Sequence, residues 1–408
     1  MTHRRLYAGS DLSRAVTIDD LRQMARKRLP RFLFEYVDGG AEDELTLRRN
    51  RDAFARHTLQ PSTLVDVSNR TQAVELLGRP AAAPLVIAPT GFNGMLSQRA
   101  DVALARAAAK ASVPFTLSMA ANVRLEDVAT DAGGRLWMQL YWVRDRDFIR
   151  SLVTRAEKAG FEALVLTSDV QVSGGREWDR RNYRAGMQLS LRNKLDVLAH
   201  PRWLWHMLRE GGPPRFANIR ELAPPDARTV IDDMMTLGRN MDPACNWDDL
   251  RWLRSIWPRR LLVKGILSVP DAERAIAHGA DGVILSNHGG RQLDGAISAL
   301  ETLPAVRHAL GPDATILVDG GIRRGVDVIK AKALGATAVM TGRNCLYGVA
   351  VAGEAGALRA LDIIRQETDR AQALLGVPDI NALDERVLSG RTPIGFAPLR
   401  RELSQGVT

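Results

Sequence analysis

Cysteine is nearly absent: Cys245 and Cys345 are the only two in 408 residues, and neither has CxxC or zinc-like spacing. That excludes a disulfide framework or a structural zinc site, and the chain reads as one made for a reducing compartment. No metal is expected. No uncharged apolar run approaches the roughly 18 residues that a membrane-spanning helix needs. The basic stretch from Met1 to Pro30 lacks an apolar core of about seven residues, so no secretory signal is expected. Also missing is a GxGxxG turn after any strand-like run, which disfavours a dinucleotide-binding sheet and a nicotinamide-linked dehydrogenase.

What is present is apolar content of 45% and a formal charge of +9. The length allows two or three domains, or one α/β barrel of about 250 residues with insertions. The positive charge points to an anionic partner of some kind and by itself selects none.

Short apolar runs recur along the chain: Pro84–Pro89, Val113–Ser118, Leu136–Tyr141, Ala163–Thr167, Leu261–Gly265, Gly282–Ser286, Thr315–Asp319 and Ala338–Gly342. They are continuously apolar rather than alternating, as parallel strands covered on both faces are. Amphipathic helices are predicted between them, among them Asp101–Ser112, Asp145–Ala159 and Ser268–His278. Most steps between runs are about one βα unit long; the fourth step is about three, which marks an insert. The predicted fold is an α/β, (β/α)₈ TIM barrel with an N-terminal helical segment and a long insert between strands 4 and 5. It forms one domain over residues 1–380, with the insert at about Met187 to Pro225 and a C-terminal tail over 381–408.

The ends of the runs carry the signal. In order they bear Pro89-Thr90-Gly91, Ser118, Gln139 with Tyr141, Thr167 with Asp169, Lys264, Ser286 with His288, Asp319-Gly320-Gly321, and Gly342-Arg343. In a barrel these ends meet at one face, where active sites are built. One polar residue ending a strand means little; a full set including Lys, His, Asp and Arg is a constellation.

Three stretches carry a resemblance: Phe34-Glu35-Tyr36 followed by Gly40-Ala41-Glu42-Asp43, then Ser286-Asn287-His288-Gly289-Gly290-Arg291-Gln292-Leu293-Asp294, and Asp319-Gly320-Gly321-Ile322-Arg323-Arg324-Gly325. On these the chain resembles the FMN-dependent 2-hydroxy acid dehydrogenases and oxidases, from Leu29 to about Gly376. Within that family it is most similar to the membrane-associated mandelate dehydrogenases, on Pro89-Thr90-Gly91-Phe92-Asn93-Gly94 and the long insert. The insert also resembles that of the quinone-linked L-lactate dehydrogenases.

The resemblance implies FMN as cofactor and a small 2-hydroxy acid as substrate. His288 would be the base that removes a substrate proton, a task suited to an unperturbed pKa near 6.5. Asp169 would orient it; its bland reading is a helix cap or turn residue. Arg176 and Arg291 would pair with the substrate carboxylate through guanidinium forks, and Tyr36 and Tyr141 would hydrogen-bond the acid. Lys264, at the end of an apolar strand, needs a partner: the resemblance supplies the N1/C2 edge of the isoalloxazine, and the alternative is a neighbouring carboxylate.

Pro89, Thr90, Gly91, Ser118, Gln139, Thr167 and Ser286 match residues lining the flavin ring. Asp319 would face the ribityl hydroxyls. Gly320, Gly321, Arg323, Gly342 and Arg343 would hold the phosphate, at the loops after strands 7 and 8.

Ala120 stands where glycolate oxidase has a bulky aromatic, which points to a mandelate-like substrate. Basic residues interleaved with Trp203 and Trp205 in the insert suit an anionic lipid surface; the alternative is a helix packed on the barrel or on a neighbouring subunit. The family implies a homotetramer at the cytoplasmic face of the membrane, or in the cytoplasm, passing electrons to a quinone. A non-catalytic barrel binding an anion or RNA would leave Tyr36, Lys264 and His288 unexplained, so no nucleic-acid partner is expected.

Overall fold

The structure is a computed structural model that describes residues 5–389 apart from 185–187 and 210. Eight parallel strands close into a barrel, numbered here β1 Leu85–Ile87, β2 Phe115–Ser118, β3 Leu136–Tyr141, β4 Ala163–Thr167, β5 Arg260–Ile266, β6 Gly282–Leu285, β7 Thr315–Asp319 and β8 Ala338–Thr341. They lie where the apolar runs place them. Neighbours in space are neighbours in sequence, β8 pairing with β1 and β4 with β5. This is the short, right-handed βα connectivity that barrels use.

Each strand is buried on both sides, which is why the runs do not alternate. The barrel interior is filled by Val86, Trp137, Val165, Leu262, Ile284, Leu317 and Met340. Leu76, on the hairpin Val74–Leu76/Arg79–Ala81, joins this cluster. Helices on the outside start at side-chain caps: Asp145 for Arg146–Lys158, Ser268 with Pro270 for Val269–Ala277, and a Ser298/Glu301 capping box for Ala299–Leu310.

The register sets the level of the site residues. Ser118 pairs with Gln139, while Tyr141 and Lys264 flank Thr167 on β3 and β5. The N-terminal segment folds as helices Ile18–Arg28, Arg31–Asp38 and Leu45–Ala55. It is tied to the loop after β6, where Asp294 accepts the Leu45 and Thr46 N–H groups at 3.1 and 2.7 Å.

The segment between β4 and β5 contributes helices Leu191–Leu198, Pro201–Arg209, Val230–Asn240 and Trp247–Ile256. Met187, the expected start of the insert, lies outside the described residues, as do residues 390–408 of the expected tail. The described part of that tail folds back, with Leu388–Ser389 pairing antiparallel to Thr58–Leu59.

Leu262→Ala would leave a cavity inside a closed barrel. The expected cost is about 2–5 kcal/mol, read as a lower denaturant midpoint; an unchanged midpoint would contradict a close-packed interior.

Candidate active site

At the carboxyl ends of the strands lies a cavity of about 560 Å³, within the roughly 300–1,000 Å³ typical of ligand sites. Most of the expected residues line it. Asp169, Ser118, Gln139, Thr167 and Ser286 do not; they form the layer beneath. Ser118 Oγ donates to Gln139 Oε1 at 3.0 Å, and Gln139 Nε2 donates to Thr167 Oγ1 at 3.0 Å. This row fixes the carboxamide without placing it on the cavity wall.

Lys264 ends β5 and is 3% exposed. Its Nζ donates to Ser286 Oγ at 2.8 Å and pairs with Asp319 Oδ2 at 2.8 Å, and Ser286 Oγ donates to the same carboxylate oxygen. The carboxylate partner left open by the sequence is therefore Asp319, because β5 and β7 flank β6 and Ser286 bridges them. Burial opposes the charge on Lys264, but the charges of Asp319 and Asp169 outweigh it and raise its pKa. Both Lys264 and Asp319 also line the cavity.

His288 sits just beyond β6 with φ +59, followed by Gly289 and Gly290 at +65 and +74. Left-handed backbone at a non-glycine residue is uncommon and recurs at functional positions. The His288 N–H donates to Ser286 Oγ at 3.0 Å, and Nδ1 lies 3.1 Å from Asp169 Oδ1. Burial works against ionised Asp169, yet the charge of His288, its hydrogen bond and Lys264 together hold the carboxyl below its ordinary value. With the carboxylate ionised, Nδ1 carries the proton and Nε2 is left able to accept one. Gly265, in a bulge of β5 at φ +106, makes room: a Cβ there would lie 2.8 Å from Asp169 Cβ.

Arg291 and Arg176 flank Tyr36, their guanidinium carbons 5.0 and 5.7 Å from its ring centroid. Arg291 donates to the carbonyls of Tyr36 and Gly39 at 2.6 and 3.2 Å. Burial, then the charge of Arg176, lowers its pKa to about 10. Tyr141 is pushed upward by burial, then by Tyr36 and Asp169, so it stays a phenol.

The far end has the features of an anion site. Gly320 and Gly321 adopt φ +99 and +84, and the helix Arg343–Leu375 starts at Gly342 with no side-chain cap. Glycine turns and uncapped helix N-termini present N–H groups to anions. Arg343 spends its N–H groups on the carbonyls of Val37, Gly289 and Gly39, and Arg323 bonds to Asn344 and Tyr347. Neither these two arginines nor Arg291 is ion-paired with a carboxylate among the described residues. Half-buried cations without a paired carboxylate are costly to hold, and an anion at each end would supply the partner. Thr90 Oγ1 is buried without a hydrogen-bond partner among the described residues.

Sequence reasoning missed part of the wall of this cavity, formed by Phe216, Met234, Leu237 and Met241 from the segment between β4 and β5, the last three beyond the expected insert. The helical spacing of the last three was visible, but not the surface that they cover.

Because Asp169 has a lowered pKa, its stabilising pair with His288 is complete above the ordinary value of 3.8 and is lost as pH falls through the folded-state value. Asp169→Asn should thus be less stable than the parent near neutrality, and the gap should narrow below pH 3.8. A gap independent of pH in thermal melts would contradict the pair.

A family model described as FMN-dependent dehydrogenase matches residues 25–390. The chain is 44% identical to (S)-mandelate dehydrogenase of Pseudomonas putida, over 95% of this chain and 98% of that one. It is 42% identical to L-lactate dehydrogenase of Caulobacter vibrioides, over 92% and 97%. Its structure matches that of monotopic membrane protein (S)-mandelate dehydrogenase with a TM-score of 0.88 at 45% identity, covering 92% of this chain and 99% of the other. A mandelate oxidase solved with (S)-mandelic acid follows at 0.77 and 36%, covering 92% and 98%. The chain belongs to the FMN-dependent dehydrogenase family.

Proposed function

We propose that this enzyme oxidises an (S)-2-hydroxy acid with a bulky, aromatic substituent to the 2-oxo acid. The observation that carries the reading is the convergence of His288 with Asp169 behind it, the guanidinium of Arg291, which has no ion-paired carboxylate among the described residues, and Tyr36 and Tyr141 on one cavity. Oxidation removes two electrons and two protons from the acid. FMN, when bound, would accept both electrons and one of the protons, leaving the other for His288. Pro89, Thr90, Gly91 and Lys264 would line its ring, over the buried row of Ser118, Gln139, Thr167 and Ser286. Asp319 would stand at the ribityl chain, and Gly320, Gly321, Arg323, Gly342 and Arg343 at the phosphate.

Arg291 and Arg176 hold the substrate carboxylate, which orients the hydroxyl-bearing carbon toward His288. Tyr36 and Tyr141 remain protonated and donate hydrogen bonds to the acid. His288 takes one proton at Nε2, and Asp169 stabilises the imidazolium that results. The ammonium of Lys264 favours negative charge accumulating at the ring edge.

Ala120, Phe216, Met234, Leu237 and Met241 give the cavity an apolar wall that suits an aromatic substituent, and the similarity to mandelate dehydrogenase and mandelate oxidase supports that reading. The acceptor in this reading is a membrane quinone. Helices Leu191–Leu198 and Pro201–Arg209 expose Leu191, Leu195, Leu198, Trp205 and Leu208 beside Arg192, Lys194, Arg202 and Arg209. Trp203, in contrast, turns inward, its indole N–H donating to the Met95 carbonyl at 2.7 Å. Apolar side chains ringed by cations suit peripheral contact with an anionic membrane, and no helix among the described residues is long and apolar enough to cross one. A homotetramer at the cytoplasmic face completes the proposal.

(S)-Mandelate should be turned over with a higher kcat/KM than glycolate; the reverse order would defeat the aromatic assignment. His288→Gln should retain FMN but lose about a hundredfold or more in turnover. Arg291→Met should chiefly raise KM, about tenfold or more; near-parental values in either variant would remove that residue from its role. The full-length protein should sediment with anionic vesicles at low salt and less so at high salt, and indifference to vesicles would end the membrane reading. Peroxide formed as fast as an artificial acceptor is reduced would favour an oxidase over quinone transfer.

A further inference from the structure

The phosphate end of the cavity contains a row of side chains to which substrate and ring binding assign no task. Arg22, on the N-terminal helix Ile18–Arg28, grips Asp38 with two bonds, Nε to Oδ1 at 2.6 Å and Nη2 to Oδ2 at 2.5 Å. Asp38 Oδ1 also accepts the phenolic proton of Tyr347 at 2.6 Å. Tyr347 is 1% exposed, and its oxygen accepts from Arg323 Nη2 at 3.3 Å. The Arg323 guanidinium lies 5.3 Å from the centroid of the Tyr347 ring, and Phe34 stacks on that ring at 6.5 Å. Arg22, Asp38 and Arg323 all line the cavity.

We infer that Asp38 and Tyr347 are positioning residues for the cofactor phosphate, acting by fixing the direction of the Arg323 guanidinium. The inference rests on the reading of this end of the cavity as the phosphate site. Asp38 is itself an anion and would repel a phosphate, so its presence beside the site calls for an indirect role. The polarity of the row supplies one. A phenol has a single proton, and Asp38 takes it, which leaves the oxygen lone pairs turned toward Arg323. The guanidinium is a rigid planar fork anchored through Nη1 on Asn344 and through Nη2 on Tyr347, so the phenol, with the ring beneath, fixes the second of two points that set where the remaining N–H groups point. Arg22 holds Asp38 in place through both carboxylate oxygens.

An amide in place of the carboxylate changes this row without changing its shape. Asp38→Asn sets its NH₂ against an Arg22 N–H whichever way the amide turns, because Oδ1 accepts from both Arg22 Nε and Tyr347 and Oδ2 from Arg22 Nη2, so the hold on the phenol is loosened. Tyr347→Phe keeps the ring under the guanidinium but removes the acceptor.

The test compares flavins with and without the phosphate. The full-length protein is loaded with FMN or with riboflavin, and release of each is followed by recovery of flavin fluorescence on dilution. In the parent, riboflavin should leave much faster than FMN. In Asp38→Asn and Tyr347→Phe that ratio should fall at least tenfold, because FMN release accelerates while riboflavin release stays within about twofold. Equal acceleration of both flavins, or an unchanged ratio, would overturn the inference, since loosened packing does not distinguish the phosphate. Should Asp38→Asn fail to fold, Tyr347→Phe carries the test alone. Arg323→Met separates the levels of failure. If it lowers the ratio and the other two variants do not, only the positioning role falls. If it leaves the ratio unchanged, the phosphate assignment of Arg323 falls and takes the inference with it.

Discussion

Positive charge held in a barrel mouth without carboxylate partners is the constraint around which this structure is organised. Arg291, Arg323 and Arg343 bond to main-chain carbonyls, an amide and a phenol, and to no carboxylate among the described residues. Desolvation works against the charge of Arg291 and Arg343, and their folded-state pKa values fall accordingly. The surrounding fold holds these groups in place, and in the proposed function an anion completes them. Lys264 is the contrast. Its counter-ion, Asp319, is built in, so it presents a fixed ammonium whether or not a ligand is present.

The barrel makes this arrangement affordable. Closure brings strand ends that are far apart in sequence to one level, and at those ends polar side chains hydrogen-bond one another in two sets. Ser118, Gln139 and Thr167 brace one another, as do Lys264, Ser286 and Asp319. Buried polar networks of this kind rigidify a site when every member is satisfied. The layer above is softer. Phe216, Met234, Leu237 and Met241, from the segment between β4 and β5, line the cavity with apolar, adaptable surface.

Much of this could be read from the sequence. Continuous apolar runs identified the eight strands, and the helix starts at Asp145 and Ser268 followed from local chemistry. The strand ends were legible because one fold brings all of them together. What could not be read is what meets across the chain. Nothing near Lys264 pointed to Asp319, and Asp38, at the end of a helix before Gly39, looks like an ordinary C-terminal residue. Its bond to Tyr347 spans 309 positions. The tryptophans of the insert show the same limit: Trp203 and Trp205 look alike in sequence, but helical phase buries the first and exposes the second.

The central claim is that the uncompensated charge of Arg291, with Arg176, selects a carboxylate and thereby presents the adjacent carbon to His288. The most direct measurement is an anaerobic absorbance titration of the FMN-loaded protein with (S)-mandelate and, separately, with (S)-mandelamide, which has the same carbon skeleton without the charge. The flavin band should bleach with the acid at concentrations where the amide leaves it unchanged. Equal bleaching by both would mean that the half-buried arginines do not read the carboxylate.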